Sequence, residues 1–281
     1  MERIKQAIEK VKGQQVGGTY RSRPDIHGAS QGATLNSRTS LAHDELGDIK
    51  YEYTRVVKLQ ADHLEKHRIV AFNKNDPRCM NFDLLRTHVL QKMEENGWRT
   101  LAITSPTPEA GKTMVSINLA MSISQQTNKT AMLVDFDLRR PKVGTYLGVQ
   151  MEKTLNDLLD GTAELPDVLL NPDMPRLVIL PTKLPVKNSS ETLSSKRISD
   201  LIAELRQRYK SRIVIFDLPP VLVTDDAIAL LPQIDCVLMV VANGMSTKRE
   251  IQDSLHLLPA ANFIGTILNK AEVEPVAYYY D

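Results

Sequence analysis

Apolar residues recur along this chain in two rhythms. From Asn81 onward, Phe82, Leu85, Val89 and Met93 fall on one helical face, and Gly97 ends the helix. Beyond it, short apolar runs alternate with amphipathic stretches. The runs predict strands over 100–104, 130–135, 176–180, 212–217, 235–241 and 262–268. The stretches between them predict helices over 113–125, 154–160, 196–208, 224–231 and 247–258. Several strands are unbroken apolar runs, Ile213-Val214-Ile215-Phe216 among them. Such strands are buried on both faces. The pattern therefore predicts an α/β fold with a mostly parallel sheet covered by helices on both faces and right-handed crossovers. Ligands of such sheets bind at the carboxyl ends of the strands.

The ends of the chain follow other patterns. Ile4, Ile8 and Val11 share a face of a short helix in 1–12, a candidate docking helix or a frayed tail. Residues 13–44 are rich in Gly, Ser, Thr, Gln and Arg, the composition of a flexible linker. Residues 45–77 form a poorly defined lead-in, with a candidate strand at Val56–Leu59 and a candidate helix from Asp62 to Lys66. Residues 78–270 carry the strand–helix alternation. Residues 271–281 leave the fold as a flexible tail ending in Tyr278-Tyr279-Tyr280-Asp281.

Composition adds bounds. The 281 residues are 42% hydrophobic and 25% charged, enough for a normal core. A formal net charge of +1 gives no global attraction to nucleic acid or acidic lipid. The two cysteines, Cys79 and Cys236, read as reduced thiols. No apolar run approaches the ~20 residues that span a bilayer, and the N-terminus lacks the apolar core of a signal peptide. The expectation is a cytoplasmic chain that reaches a membrane only through a partner.

The chemistry sits at three strand ends. Leu101-Ala102-Ile103 runs into Thr104-Ser105-Pro106-Thr107-Pro108-Glu109-Ala110-Gly111-Lys112-Thr113, and a helix follows. This is the end of a phosphate-binding loop, with Pro106 where the first glycine usually stands. Lys112 is placed to reach the β- and γ-phosphates, and the Thr113 hydroxyl to hold Mg²⁺. Met132-Leu133-Val134 ends in Asp135-Phe136-Asp137-Leu138-Arg139, a D-x-D-x-R turn. Paired carboxylates there can order Mg²⁺ and accept a proton from an attacking hydroxyl, and Arg139 adds positive charge. Ile213–Phe216 ends in Asp217-Leu218-Pro219-Pro220, which suits a metal-binding aspartate. The consecutive tyrosines at 278–280 cannot share one packing face. They suit a mobile acceptor or an aromatic docking patch.

Together these motifs resemble the bacterial tyrosine kinases of exopolysaccharide and capsule export, over roughly residues 78–281, and particularly the soluble exosortase-associated autokinases. The resemblance implies a P-loop NTPase fold of the deviant-Walker kind. It implies ATP and Mg²⁺, with nucleotide contacts from Thr107, Pro108, Glu109, Ala110, Gly111, Lys112, Thr113, Met114 and Arg139. Thr113, Asp135 and Asp217 would order the metal, and Lys112, Asp135 and Asp137 would carry catalysis, with Asp137 the base. Tyr278, Tyr279 and Tyr280 would be phosphorylated between subunits of a ring. Implied partners are further copies of the chain, an inner-membrane polysaccharide co-polymerase and a cognate tyrosine phosphatase. The chain departs from the family in three places, one of them its short tyrosine cluster. The loop often reads P-G-E-G-K, and against Pro108-Glu109-Ala110-Gly111-Lys112 the missing glycine is assigned to Ala110. The ring segment often reads E-x-x-R-x-x-R, but Met80, Asp83 and Arg86 stand at its fixed positions. Competing readings are a partition-type ATPase, disfavoured by Thr107 where those proteins carry lysine, and a non-catalytic nucleotide-binding regulator.

Overall fold

A computed structural model describes residues 54–272 apart from 127, 209–210 and 259–261. The expected helix in 1–12, the linker at 13–44 and the tyrosines at 278–280 lie outside the described residues. The strands are β1 (Arg55–Val56), β2 (Thr100–Thr104), β3 (Thr130–Asp135), β4 (Leu170–Asn171), β5 (Leu177–Leu180), β6 (Arg212–Asp217), β7 (Cys236–Ala242) and β8 (Asn262–Asn269). They form one sheet in the order β1-β4-β5-β3-β6-β2-β7-β8. Every neighbouring pair is parallel except β4 with β5.

The longer helices are α1 (Ala61–Lys66), α2 (Cys79–Glu95), α3 (Lys112–Ser124), α5 (Leu155–Asp160), α8 (Lys196–Gln207) and α10 (Lys248–His256). Shorter ones are α4 (Val143–Leu147), α6 (Leu165–Val168), α7 (Ser189–Leu193) and α9 (Asp226–Leu230). Alternate residues of each central strand enter opposite cores, because side chains of a strand point to opposite faces. Leu101, Ile103, Leu133 and Ile215 pack with Val89, Met93, Ile117 and Met121 of α2 and α3. Ala102, Met132, Val134, Val214 and Phe216 pack with Ile198, Ile202 and Leu205 of α8. Phe136 stacks on Phe216, their ring centroids 5.2 Å apart. The helices α2, α3 and α8 thus cover the two faces, as the unbroken apolar runs require. Among the described residues no helix is long and apolar enough to cross a membrane.

Two features go beyond the sequence pattern. The described part of the 45–77 stretch is ordered against the domain: β1 pairs with β4, and Leu64, Ile69, Val70 and Ala71 are buried. Strand β7 begins at Cys236 rather than 235, because the Asp235 carboxylate accepts from the N–H groups of Arg99 (2.8 Å) and Thr100 (3.0 Å) and acts as a cross-strand cap. Helices α4, α6 and α7 were not predicted. Each spans only four or five residues, too few for a helical period to register. Two of the ring-segment positions are used within the chain: Arg86 pairs with Asp83 at 2.6 Å and donates to the Ser122 carbonyl at 3.2 Å, while Met80 is exposed.

Candidate functional site

The three motifs meet where β2, β3 and β6 end. Strand β2 lies between β6 and β7, and β3 pairs with β6 so that Asp135 stands beside Asp217. The loop after β2 is tied to the loop after β6. Val221 donates to the Ser105 carbonyl at 2.9 Å, Leu222 to that of Pro106 at 3.2 Å, and the Thr104 hydroxyl to that of Pro219 at 2.7 Å. Pro106 therefore serves as an acceptor, a role that needs no N–H.

Gly111 caps α3 with φ 93°, a backbone that side chains rarely adopt. A Cβ on it would stand 2.1 Å from Asn269 Nδ2, which itself donates to the Ala110 carbonyl at 2.8 Å. The other left-handed residue of the loop is Glu109, at φ 64°. The missing glycine therefore belongs at Glu109, not Ala110. Ala110 has no positive φ and its side chain is buried in the core.

Lys112 is 11% exposed and its Nζ lies 2.7 Å from Asp137 and 3.8 Å from Asp217. The Thr113 hydroxyl donates to Asp217 Oδ2 at 2.6 Å, and the Ser116 hydroxyl sits 3.0 Å from Asp217 Oδ1. Asp137 also accepts from the Arg140 N–H at 3.0 Å. Asp135 lies behind these groups, its Oδ1 accepting from the Asp137 N–H at 3.3 Å. Its Oδ2 accepts from the N–H groups of Lys142 (3.0 Å) and Val143 (2.9 Å), so it caps the start of α4. Burial would pull Lys112 down, but the Asp217 and Asp137 carboxylates outweigh it and hold the ammonium charged. Burial, then the Asp217 charge, pushes Asp135 well above the usual carboxylate range. Burial also raises Asp217, against the pull of Lys112 and the Thr113 hydroxyl.

Three carboxylates thus crowd one ammonium in a buried cluster. A divalent cation beside Thr113 and Asp217 would relieve that crowding and reverse the upward shifts. The donor set is hard oxygen, the kind Mg²⁺ takes, so the residues fit the ion. Among the described residues no three His, Cys, Asp or Glu side chains form a ready-made metal cage. That also suits Mg²⁺, which in nucleotide sites is held by one or two protein oxygens with phosphate and water.

In front of the cluster lies a cleft of about 650 Å³. Of the sequence-predicted residues, Pro108, Glu109, Gly111, Lys112, Thr113, Met114, Asp137 and Arg139 line it; Thr107, Ala110, Asp135 and Asp217 do not. Arg139 is held by Asp226, with Nε and Nη2 each 3.1 Å from a carboxylate oxygen. Asp226 also accepts from the Thr224 hydroxyl at 2.6 Å.

Sequence reasoning missed Ser116, Asp226, Asn269 and the stretch Lys66–Arg68, which also lines the cleft. Ser116 was within reach, since it follows Lys112 by four residues on the same helical face. The others carry no local signal and reach the site through tertiary contacts.

A family model described as an AAA domain matches residues 99–258, more than half of the chain. EpsB of Ralstonia nicotianae is 33% identical over 208 residues, 73% of this chain and 27% of EpsB. The tyrosine-protein kinase CpsD of Streptococcus pneumoniae serotype 4 is 30% identical over 183 residues, 64% of this chain and 79% of CpsD. The kinase domain of the Escherichia coli tyrosine kinase ETK superposes with a TM-score of 0.67 at 30% identity, covering 76% of this chain and 84% of that domain. The chain spans about a quarter of the length of EpsB, the matched share being 27%. With the P-loop NTPase fold, the acidic strand ends and these relatives in hand, the chain belongs to the bacterial tyrosine kinase family.

Proposed function

We propose that this chain is a protein-tyrosine autokinase that uses Mg·ATP and phosphorylates the tail tyrosines Tyr278, Tyr279 and Tyr280 of a second copy, as part of exopolysaccharide polymerisation and export. One observation carries the reading: Asp137 lines the cleft beside Lys112, while Asp217 is engaged behind it by Thr113. A base and a phosphate-binding cation are therefore paired at the cleft surface, with the metal-side oxygens kept separate.

Lys112 leaves Asp137 to meet the β- and γ-phosphates. The freed Asp137 carboxylate accepts the phenol proton as the tyrosine oxygen bonds to phosphorus and the bond to the ADP oxygen breaks. Thr113 and Asp217 would hold Mg²⁺, which when bound neutralises charge on the phosphates. Asp135 supports the site by fixing the start of α4 and hence the D-x-D turn. The Arg139–Asp226 pair ties that turn to the loop after β6. Attachment to a membrane co-polymerase and reversal by a phosphatase belong to the same reading.

The test is incubation of the full chain with Mg·ATP and mass spectrometry of its C-terminal peptide. Phosphotyrosine is expected, lost in Lys112→Met and much reduced with Tyr278, Tyr279 and Tyr280 all changed to Phe. Asp137→Asn should bind Mg·ATP nearly normally yet lose phosphotransfer by about 10²–10⁴-fold, the scale of a general base. ATP turnover without phosphotyrosine would replace the kinase reading with a switch ATPase. Binding without turnover would replace it with a regulator.

A further inference from the structure

The segment after α1 crosses the phosphate-loop helix and brings three basic residues to the cleft. Lys66, the last residue of α1, and His67 and Arg68 after it line the cleft, as do Arg140 and Lys142. The segment is fixed in place. The fully buried Asn118 of α3 accepts from the N–H groups of Val70 (2.8 Å) and Ala71 (2.9 Å) and donates to the carbonyls of Arg68 (3.1 Å) and Met114 (2.9 Å). His67 gives its Nδ1–H to the His63 carbonyl at 2.9 Å and stacks toward Tyr146 of α4, centroids 5.0 Å apart.

Arg68 ends α1 in a left-handed conformation, φ 59°. Its N–H bonds the Glu65 carbonyl at 2.9 Å, and the Ile69 N–H bonds that of Leu64 at 2.9 Å. This is the helix-ending motif in which glycine is strongly preferred at that position. An arginine there accepts backbone strain in exchange for a side chain at the cleft. Strain retained at a cleft points to use of the side chain. Among the described residues no carboxylate pairs with Lys66, Arg68, Arg140 or Lys142, and all four are exposed.

The tail of this chain has the complementary charge. Residues 271–281 hold Glu272, Glu274 and Asp281 and no Lys, Arg or His. The tail departs from the cleft itself, since Lys270 lines it. We infer that the Lys66–Arg68 edge, with Arg140 and Lys142, is the acceptor subsite that binds the acidic residues flanking the tail tyrosines. This rests on the autokinase reading and adds the residues that select the acceptor.

The test uses the full chain, a C-terminally amidated peptide of residues 271–281 carrying an uncharged fluorophore on its N-terminus, and the same peptide with Glu272→Gln, Glu274→Gln and Asp281→Asn. Peptide binding is read by anisotropy, peptide phosphorylation by its KM, and nucleotide affinity with a labelled ADP. Loss of two exposed charge pairs weakens binding roughly tenfold. Lys66→Ala/Arg68→Gly is therefore expected to bind the acidic peptide about tenfold more weakly, at unchanged ADP affinity and an unchanged or raised melting temperature. Affinity for the neutral peptide should move less than twofold, and Arg68→Lys should keep the wild-type affinity. Equal weakening of both peptides, or a loss of ADP affinity instead, overturns the proposal and assigns these cations to the fold or to the nucleotide. If the wild type binds the acidic peptide through Lys66 and Arg68 but phosphorylates neither peptide, the autokinase reading fails and the acceptor role with it, leaving these cations as a tail-docking site.

Discussion

Replacing Glu109 by glycine should stabilise the fold, and replacing Ala110 by glycine should destabilise it. Glu109 holds φ 64°, where an L-residue pays roughly 1–2 kcal/mol through the clash of its Cβ with the backbone. Glycine removes that clash but brings about 0.5–1 kcal/mol of extra unfolded-chain entropy. The net for Glu109→Gly is a gain of roughly 0–1.5 kcal/mol. Ala110 has no left-handed strain to relieve, and its methyl is 1% exposed. Ala110→Gly therefore loses about 0.8 kcal/mol of burial and the same glycine entropy, a cost of roughly 1–2 kcal/mol. Urea unfolding of the two variants against the wild type reads the difference, and opposite shifts of the midpoint are expected. Stabilisation by Ala110→Gly, or destabilisation by Glu109→Gly, would refute the assignment of the loop's strained position.

Two further outcomes follow from the same geometry. Gly111→Ala should abolish nucleotide binding, because its Cβ would meet Asn269 Nδ2 at 2.1 Å and the loop would have to leave φ 93°; titration with labelled ADP checks this, and affinity within threefold of wild type would count against a cradle set by close approach. Asp226→Asn should cost about 1–3 kcal/mol at pH 7, the worth of charge-assisted bonds to a buried group. Burial pushes the Asp226 carboxyl up, but Arg139 and the Thr224 hydroxyl more than reverse this and hold it below its usual range. Its contribution is thus fully present above the ordinary carboxylate value and lost as pH falls through the lower folded value. Unfolding measured from pH 7 downward should show the difference between wild type and variant shrinking in acid, and a difference independent of pH would show that the charge is not what holds the latch.

The amino-acid pattern determined the architecture and where most of the candidate site residues sit. Strands buried on both faces read as apolar runs, and a helix between such strands as an amphipathic or apolar stretch, so β2, β3, β5, β6, β7 and the longer helices between them could be read from period and composition. The placement of Lys112 and Thr113 was legible because they open the helix that follows β2, and that of Asp137 and Asp217 because they fall just past or at the ends of β3 and β6. Three things only the tertiary structure decided. Asp135 carries the same motif as Asp137, yet its carboxylate is spent on the N–H groups of Lys142 and Val143, a choice set by where α4 begins. Position-by-position alignment with P-G-E-G-K already puts Glu109 opposite the first glycine; that Glu109 keeps the left-handed backbone there was decided by how the loop closes, with Asn269 of β8 bonded to the Ala110 carbonyl. Lys66 and Arg68 reach the cleft on a segment held by Asn118, and the buried Asp226 holds the cleft residue Arg139; contacts between residues so far apart leave no period, motif or spacing in the sequence.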